Sequence, residues 1–202
     1  MNGELSTSGK RYANDSIGNK HQLYLYGSAK IAGNVLALDG SKDSYAQFDS
    51  MKWPKDALTF TCWVKLRGHD IWARIWDFGN SQEHFLTLIA KDDQGRTSLF
   101  GRINKGAQVE LRGPGADLLQ DNVRSFVAVT IDGTHAAIFI NGQPKAGSYY
   151  NFKMTSLGTT KNNYLGKSEF PDANLFASYD DFRIYDRELT QVELMQIYDI
   201  GK

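Results

Sequence analysis

Residues Leu58 to Leu66 alternate without a fault. Leu58, Phe60, Cys62, Val64 and Leu66 form one set, and Thr59, Thr61, Trp63 and Lys65 fall between them. Successive side chains on a strand point to opposite faces, so this run is a strand with one face turned into a core. A second patterned stretch places Val127, Val129 and Ile131 before a turn at Asp132-Gly133-Thr134. Ile138 and Ile140 follow, and Asn141-Gly142-Gln143-Pro144 ends the hairpin. Between these stretches, Ile71 to Phe78, Phe85 to Ala90 and Leu99 to Ile103 read with Leu58 to Leu66 as consecutive antiparallel strands. The hairpin turn at Lys91-Asp92-Asp93-Gln94-Gly95 precedes the last of them. Ala107 to Leu111 alternates weakly, and Gly113-Pro114-Gly115 breaks the chain before a polar loop ending near Asn122. Tyr149 to Met154 is expected to be a further strand and Ser156 to Asn163 a loop. Residues 1–34 form a polar N-terminal arm, with short strands near His21 to Tyr26 and leading into Val35 to Leu38. Only the end of the chain reads as helix. Thr190 is placed to cap it, Glu193 lies in its first turn, and Leu194, Ile197 and Tyr198 supply the apolar stripe. The chain is therefore expected to be all-β, a two-sheet antiparallel β-sandwich with one short C-terminal helix. Its core should hold Phe60, Cys62, Val64, Val127, Val129, Ile131, Ile138, Ile140, Phe182 and Ile184.

At 202 residues the chain suits one sandwich domain, and 1–202 is read as a single unit that includes the arm. The 23 basic residues balance the 23 acidic ones, so nothing points to nucleic acid or a membrane surface as partner. No apolar run approaches the length of a membrane span. Cys62 is the only cysteine, which excludes an intrachain disulfide, and its place between Phe60 and Val64 makes it a buried, inert thiol. The start, Met1-Asn2-Gly3-Glu4-Leu5, is polar and short rather than a signal peptide; it suggests a mature or excised fragment and leaves secretion open.

Two acidic features stand out. Phe182 and Ile184 alternate with Asp181, Arg183 and Tyr185, and the same parity carried backwards puts Asp180 on the apolar face. A carboxylate there needs a partner from another element, because burying it bare is costly. The loop Asp39-Gly40-Ser41-Lys42-Asp43 offers two carboxylates and freed carbonyls, the oxygen chemistry that Ca²⁺ accepts; the alternative is an Asx-turn with no ion.

Several pieces, in order, carry a family resemblance: Asp15-Ser16-Ile17-Gly18-Asn19-Lys20-His21, Ala37-Leu38-Asp39-Gly40 with Asp43 and Tyr45, Phe60-Thr61-Cys62-Trp63-Val64-Lys65, and Arg74-Ile75-Trp76-Asp77-Phe78-Gly79. Val127-Ala128-Val129-Thr130-Ile131-Asp132-Gly133, Gly166, Asp180-Asp181-Phe182-Arg183-Ile184-Tyr185 and Arg187-Glu188-Leu189-Thr190 complete it. Together they resemble the laminin-G-like, concanavalin-A-like jelly-roll modules over nearly the whole chain. Phe126 stands where that family commonly has Trp. The resemblance implies a first loop in which Asp15 and Asn19 satisfy a turn permitted by Gly18, with His21 as a hydrogen-bonder. It also brings the Asp39–Asp43 loop beside the last strand, so that Asp39, Asp43 and Asp180 would complete a structural Ca²⁺ cage; the rival is a hydrogen-bonded Asp180 with no ion.

Related jelly-roll glycosidases carry two glutamates and an aspartate at alternate positions of one strand, and no such run exists here. Glu83 with His84 and the pair Asp92-Asp93 read as solvated, and His69, His84 and His135 fit no zinc spacing. Binding is the remaining chemistry. Trp72, Arg74, His84 and Arg102 supply flat rings and charged donors on strands expected to be neighbours, while Trp76 and Phe78 read as packed. The resemblance then implies a noncatalytic carbohydrate-binding, lectin-like module of a secreted or surface-bound bacterial protein such as a glycoside hydrolase, with a polysaccharide or other glycan as partner. A protein-binding adhesion domain, an architectural spacer and a degenerate hydrolase are the alternatives.

Overall fold

The computed structural model describes residues 3–5, 11–14, 21–68, 70–116 and 118–202, with the side chains of residues 3–5 and 14 left undescribed. The expected Asp15–Asn19 turn and His69 lie outside these residues. In chain order the strands are β1 (Gly3–Leu5), β2 (Arg11–Asn14), β3 (Gln22–Tyr26), β4 (Lys30–Ala32), β5 (Val35–Asp39), β6 (Tyr45–Phe48), β7 (Met51–Lys52), β8 (Leu58–Leu66) and β9 (Arg74–Ser81). They continue as β10 (His84–Ile89), β11 (Ser98–Ile103), β12 (Gln108–Arg112), β13 (Arg124–Ile131), β14 (His135–Ile140), β15 (Gln143–Tyr149), β16 (Thr159–Thr160), β17 (Asn162–Leu165) and β18 (Phe176–Tyr185), followed by helix α1 (Gln191–Gly201). One antiparallel sheet has the order β1-β2-β3-β6-β17-β9-β10-β11-β12. The other runs β15-β14-β13-β8-β18-β5-β4, and β7 pairs with β16 apart from both. This is a jelly-roll sandwich.

The core lies between the sheets. The expected residues from β8, β13 and β14 are all in it, and Phe182 and Ile184 pack against it. Phe60 stacks on Trp76 with ring centroids 4.7 Å apart, and Trp53 and Phe78 complete the aromatic centre. Tyr179 ties the sheets by donating its hydroxyl to the Ile75 carbonyl at 2.9 Å. Each such ring, taken out of water, contributes about 1.5–3 kcal/mol. Cys62 is buried among them, and burial pushes its thiol up to about 12, which leaves it protonated and inert.

Three expectations need correction. β8 does not pair with β9, because the chain crosses from the seven-stranded to the nine-stranded sheet between them; of the four strands expected in succession, β9, β10 and β11 are neighbours. The strand expected at Tyr149–Met154 lies earlier, at β15, and Met154–Leu157 is a 3₁₀ turn. β15 is an exposed edge with a register shift at Pro144, so it carries no apolar alternation to reveal it. The expected loop Ser156–Asn163 contains β16 and the start of β17. The same physics governs the C-terminal helix, which has eleven residues and cannot stand alone. Thr190 and Glu193 form a capping box, and Leu194 with Leu189 buries Trp63, Phe126 and Phe139 on the outward face of the seven-stranded sheet.

Candidate functional site

Among the described residues, no helix lies over the outward face of the nine-stranded sheet. Phe85, Thr87 and Ile89 point outward from β10 because Leu86 and Leu88 fill the core, and cross-strand pairing sets Arg102 opposite Phe85 and Phe100 opposite Thr87. The segment between β17 and β18 folds back over this face. It starts at Gly166, whose φ of 76° and near-contact with Leu38 in the opposite sheet leave no room for a side chain. Asn163-Tyr164-Leu165 leads into that turn, and Leu175 N donates to Gly166 O at 2.8 Å to close the loop base. Between sheet and loop lies a cleft of about 370 Å³ lined by Trp72, Arg74, Phe85, Phe100, Arg102 and Asp172, with Thr87, Ile89 and Phe170.

Three of the four expected binding residues therefore converge. Trp72 sits at φ 64°, a left-handed conformation unusual for a bulky side chain, held there because its N–H donates to Lys91 O at 2.8 Å and its carbonyl accepts from Arg74 Nη1. Its ring meets Phe100 edge-on at 6.5 Å. Arg74 is buried and donates Nη2 to Asp172 at 2.8 Å, with Phe170 5.6 Å away; it positions both rims of the cleft and has little surface of its own to offer. Arg102 is 40% exposed and pairs with Glu83 at 3.2 Å, so Glu83 is an ion-pair partner and not simply solvated. His84 does not join the cleft. One step from Phe85 along β10, it faces the other way, against Asn104 Oδ1 at 3.2 Å and Leu157 O at 3.1 Å.

The cleft borders a buried acid. Asp77 is fully enclosed between β17 and the loop, accepts at Oδ2 from Glu169 N at 3.1 Å, and lies 4.0 Å from Arg74 Nε. Burial pushes its pKa up to about 8, against the pull of that hydrogen bond and of Arg74, and pulls Arg74 below its ordinary value. Asp77 Oδ1, Arg74 Nε and Glu169 Oε1 have no hydrogen-bond partner among the described residues. Asp92 was also read as solvated and is in fact buried. Burial pushes its pKa up, but donors from Arg96, Gln94 and Ser98 outweigh it and bring the carboxyl to about 2, and Arg112 adds a bond at 2.9 Å. Asp92 thus anchors the β10–β11 hairpin whose Lys91 carbonyl holds Trp72.

Sequence reasoning missed Asp172 and Phe170, which lie in a segment with no period, and also Phe100 and Phe85, whose outward parity on β10 and β11 was the available signal. It also missed an outward row of tyrosines beyond the loop: Tyr26 stacks on Tyr45 at 4.5 Å, and Lys167 Nζ lies 4.3 Å over the Tyr45 ring.

The acidic residues expected to hold Ca²⁺ do not form one cage. β18 bulges at Asp181, with φ 51°, so Tyr179 and Phe182 both face the core while Asp180 faces outward opposite Trp63. There Asp180 pairs with Arg124 at 3.0 Å. Asp39 pairs in register with Phe176, four residues from Asp180, or about 13 Å along the strand. Its carboxylate is held below the ordinary range by hydrogen bonds from Ser28 and Ser41, an Asx-turn arrangement. The Ser41, Lys42 and Ser44 carbonyls of this loop accept from the Asn174 amide at 2.8 to 3.4 Å. No group of three metal-ligating side chains occurs among the described residues. His21 does hydrogen-bond as expected, to Asp49 at 3.1 Å.

Comparison with known proteins agrees with this architecture. Domain 4 of AbnA, a GH43 extracellular arabinanase from Geobacillus stearothermophilus solved in complex with arabinotriose, superposes with a TM-score of 0.71 at 17% identity, over 94% of this chain and 81% of that one. The binding domain of Paraclostridial Mosquitocidal Protein 1 gives 0.71 at 14% identity, over 93% and 49%. The botulinum neurotoxin serotype D ligand binding domain in complex with N-acetylneuraminic acid gives 0.69 at 16%, over 98% and 50%. The chain spans about half the length of these toxin domains. No curated protein matches it in sequence. Residues 39–195 match the Laminin_G_3 family, and the chain belongs to the concanavalin A-like lectin/glucanases superfamily.

Proposed function

We propose that this domain is a noncatalytic carbohydrate-binding module and that the cleft between Trp72 and Arg102 holds the glycan. The observation that carries this reading is the convergence of half-exposed rings, Trp72, Phe100 and Phe170, with Arg102 and Asp172 around one cleft. Rings of this kind lie against the C–H faces of a sugar, while guanidinium and carboxylate groups take its hydroxyls. Trp72 is the main platform, Arg102 donates, and the Asp172 carboxylate, oriented by Arg74, accepts. The cleft volume lies toward the small end of the roughly 300–1,000 Å³ of ligand pockets, which suits one or two sugar rings better than a long chain. Asp77 and Glu169 lie beside the cleft, but neither is among the side chains that line it, so binding without bond cleavage is the chemistry favoured.

We place the module in a larger secreted or cell-surface bacterial protein, a glycoside hydrolase among the candidates. This rests on its likeness to a domain of an extracellular arabinanase. No helix among the described residues is long and apolar enough to cross a membrane. Protein binding is the second reading, favoured by the exposed Val192 and Ile200 on α1. A glycan array followed by calorimetry on Trp72→Ala and Arg102→Ala separates the two: binding to a glycan that both variants lose supports the module, and an empty array with capture of a protein ligand supports the other.

A further inference from the structure

Helix α1 covers only part of the outward face of the seven-stranded sheet. The uncovered part holds a hollow of about 200 Å³ between β13, β8, β18 and β5, walled by Trp63 and Val35 and edged by Lys65, Arg67 and Arg124 against the single carboxylate of Asp180. Arg124 is directly opposite Lys65 in the ladder, and Ser178 is opposite Lys65 on the other side. Like charges so paired repel, and neither can turn inward because the neighbouring residues Val64 and Ser125, opposite each other in the ladder, take the inward positions. Arg124 is compensated: it pairs with Asp180 at 3.0 Å, donates to Gly201 O at 2.6 Å and lies 3.8 Å over the Trp63 ring. Lys65 has no hydrogen bond or ion pair among the described residues, and Arg67 uses only Nε, toward Ser178 Oγ at 3.3 Å. Two cations and a hydroxyl thus face one hollow with donors to spare.

We propose that this hollow is a binding site for a tetrahedral oxyanion, sulfate or phosphate, either free or esterified to a sugar. Lys65 Nζ and the two Nη groups of Arg67 supply charged donors, Ser178 Oγ a neutral one, and the Trp63 wall keeps water from one side, which strengthens each contact. The two uncompensated positive charges match a dianion. Because the hollow lies on the sheet opposite the sugar cleft, the site does not depend on the proposed glycan binding.

The test is an NMR titration of the backbone amides with inorganic sulfate, inorganic phosphate, and a sulfated hexose beside the same hexose unsulfated, ionic strength held with chloride. Saturable shifts at Lys65, Arg67 and Ser178 are expected, weakened about tenfold or more in both Lys65→Gln and Arg67→Ala, as for loss of a charge-assisted hydrogen bond. Equal affinity for sulfate and the sulfated hexose assigns the site to the free ion. Tighter binding of the sulfated hexose assigns it to the ester. Shifts that rise linearly without saturation, or that persist unweakened in Lys65→Gln and Arg67→Ala, overturn the proposal. Neither substitution removes a core side chain, and Ser178→Ala provides a third variant that touches no charge.

Discussion

The two sheets both turn aromatic side chains outward, yet treat them in opposite ways. On the seven-stranded sheet, Trp63, Phe126 and Phe139 are covered by the amphipathic α1 and form a second buried cluster. On the nine-stranded sheet, Phe85, Phe100 and Trp72 meet a loop that brings charged groups with it, and the cover stays incomplete. Among the described residues, three of the four buried side-chain polar atoms without a hydrogen-bond partner, those of Arg74, Asp77 and Glu169, belong to this side. Outward aromatics on a sandwich are thus a second core where an apolar element returns over them. Where a polar loop returns instead, they line a cleft.

That contrast can be broken most forcefully at the helix. Leu194→Ala should cost about 3–5 kcal/mol, as for a fully buried leucine, and lower the denaturation midpoint while leaving glycan affinity unchanged. A parallel loss of affinity would mean that the two faces are coupled. Asp92→Ala should cost about 3 kcal/mol, because Arg96 loses its carboxylate, Arg112 is left with Glu110, and the hairpin amides of Gln94 and Arg96 lose their acceptor. Asp92's contribution is present above its unfolded pKa and lost as pH falls from about 4 toward 2, so the acid limb of a stability profile should shallow in the variant.

Asp77 has the opposite sign. Its folded pKa, about 8, lies above the unfolded value of 3.8, so the folded state holds the extra proton and stability declines as pH rises between them. Asp77→Asn should remove that decline and gain about 1–2 kcal/mol near pH 9, the scale of relieving one poorly satisfied buried group. A melting series in which parent and variant keep parallel pH profiles would show that Asp77 is ionised throughout. The smallest effect is expected from chelation. With Asp180 on the outward face and the loop carbonyls bound to Asn174, EDTA should leave the melting temperature unchanged. A fall of several degrees, restored by added calcium, would show that the Asp39–Asp43 loop rearranges around an ion.

Most of the sandwich was legible because its period is two. The clean alternation of β8, β13 and β14 identified the core residues, and Thr190 with Glu193 announced the helix. Parity failed where the chain inserts a residue. Phe182 and Ile184 were read correctly, but the bulge at Asp181 reversed the face of everything before it, including Asp180. The cleft was half legible. Trp72, Arg74 and Arg102 were visible as chemical types, whereas Asp172 and Phe170 come from an aperiodic loop and reach the site only through tertiary packing.

The central claim is that the cleft on the open sheet face binds a sugar through Trp72 and Arg102. Calorimetry against a glycan identified on an array tests it most directly, with parent, Trp72→Ala and Arg102→Ala measured beside their melting temperatures. Each substitution should weaken binding by about 1–3 kcal/mol, the range for a lost charged hydrogen bond or ring contact, with little change in melting temperature. Unaltered affinity in both variants would contradict the claim, as would losses of affinity matched by equal losses of stability.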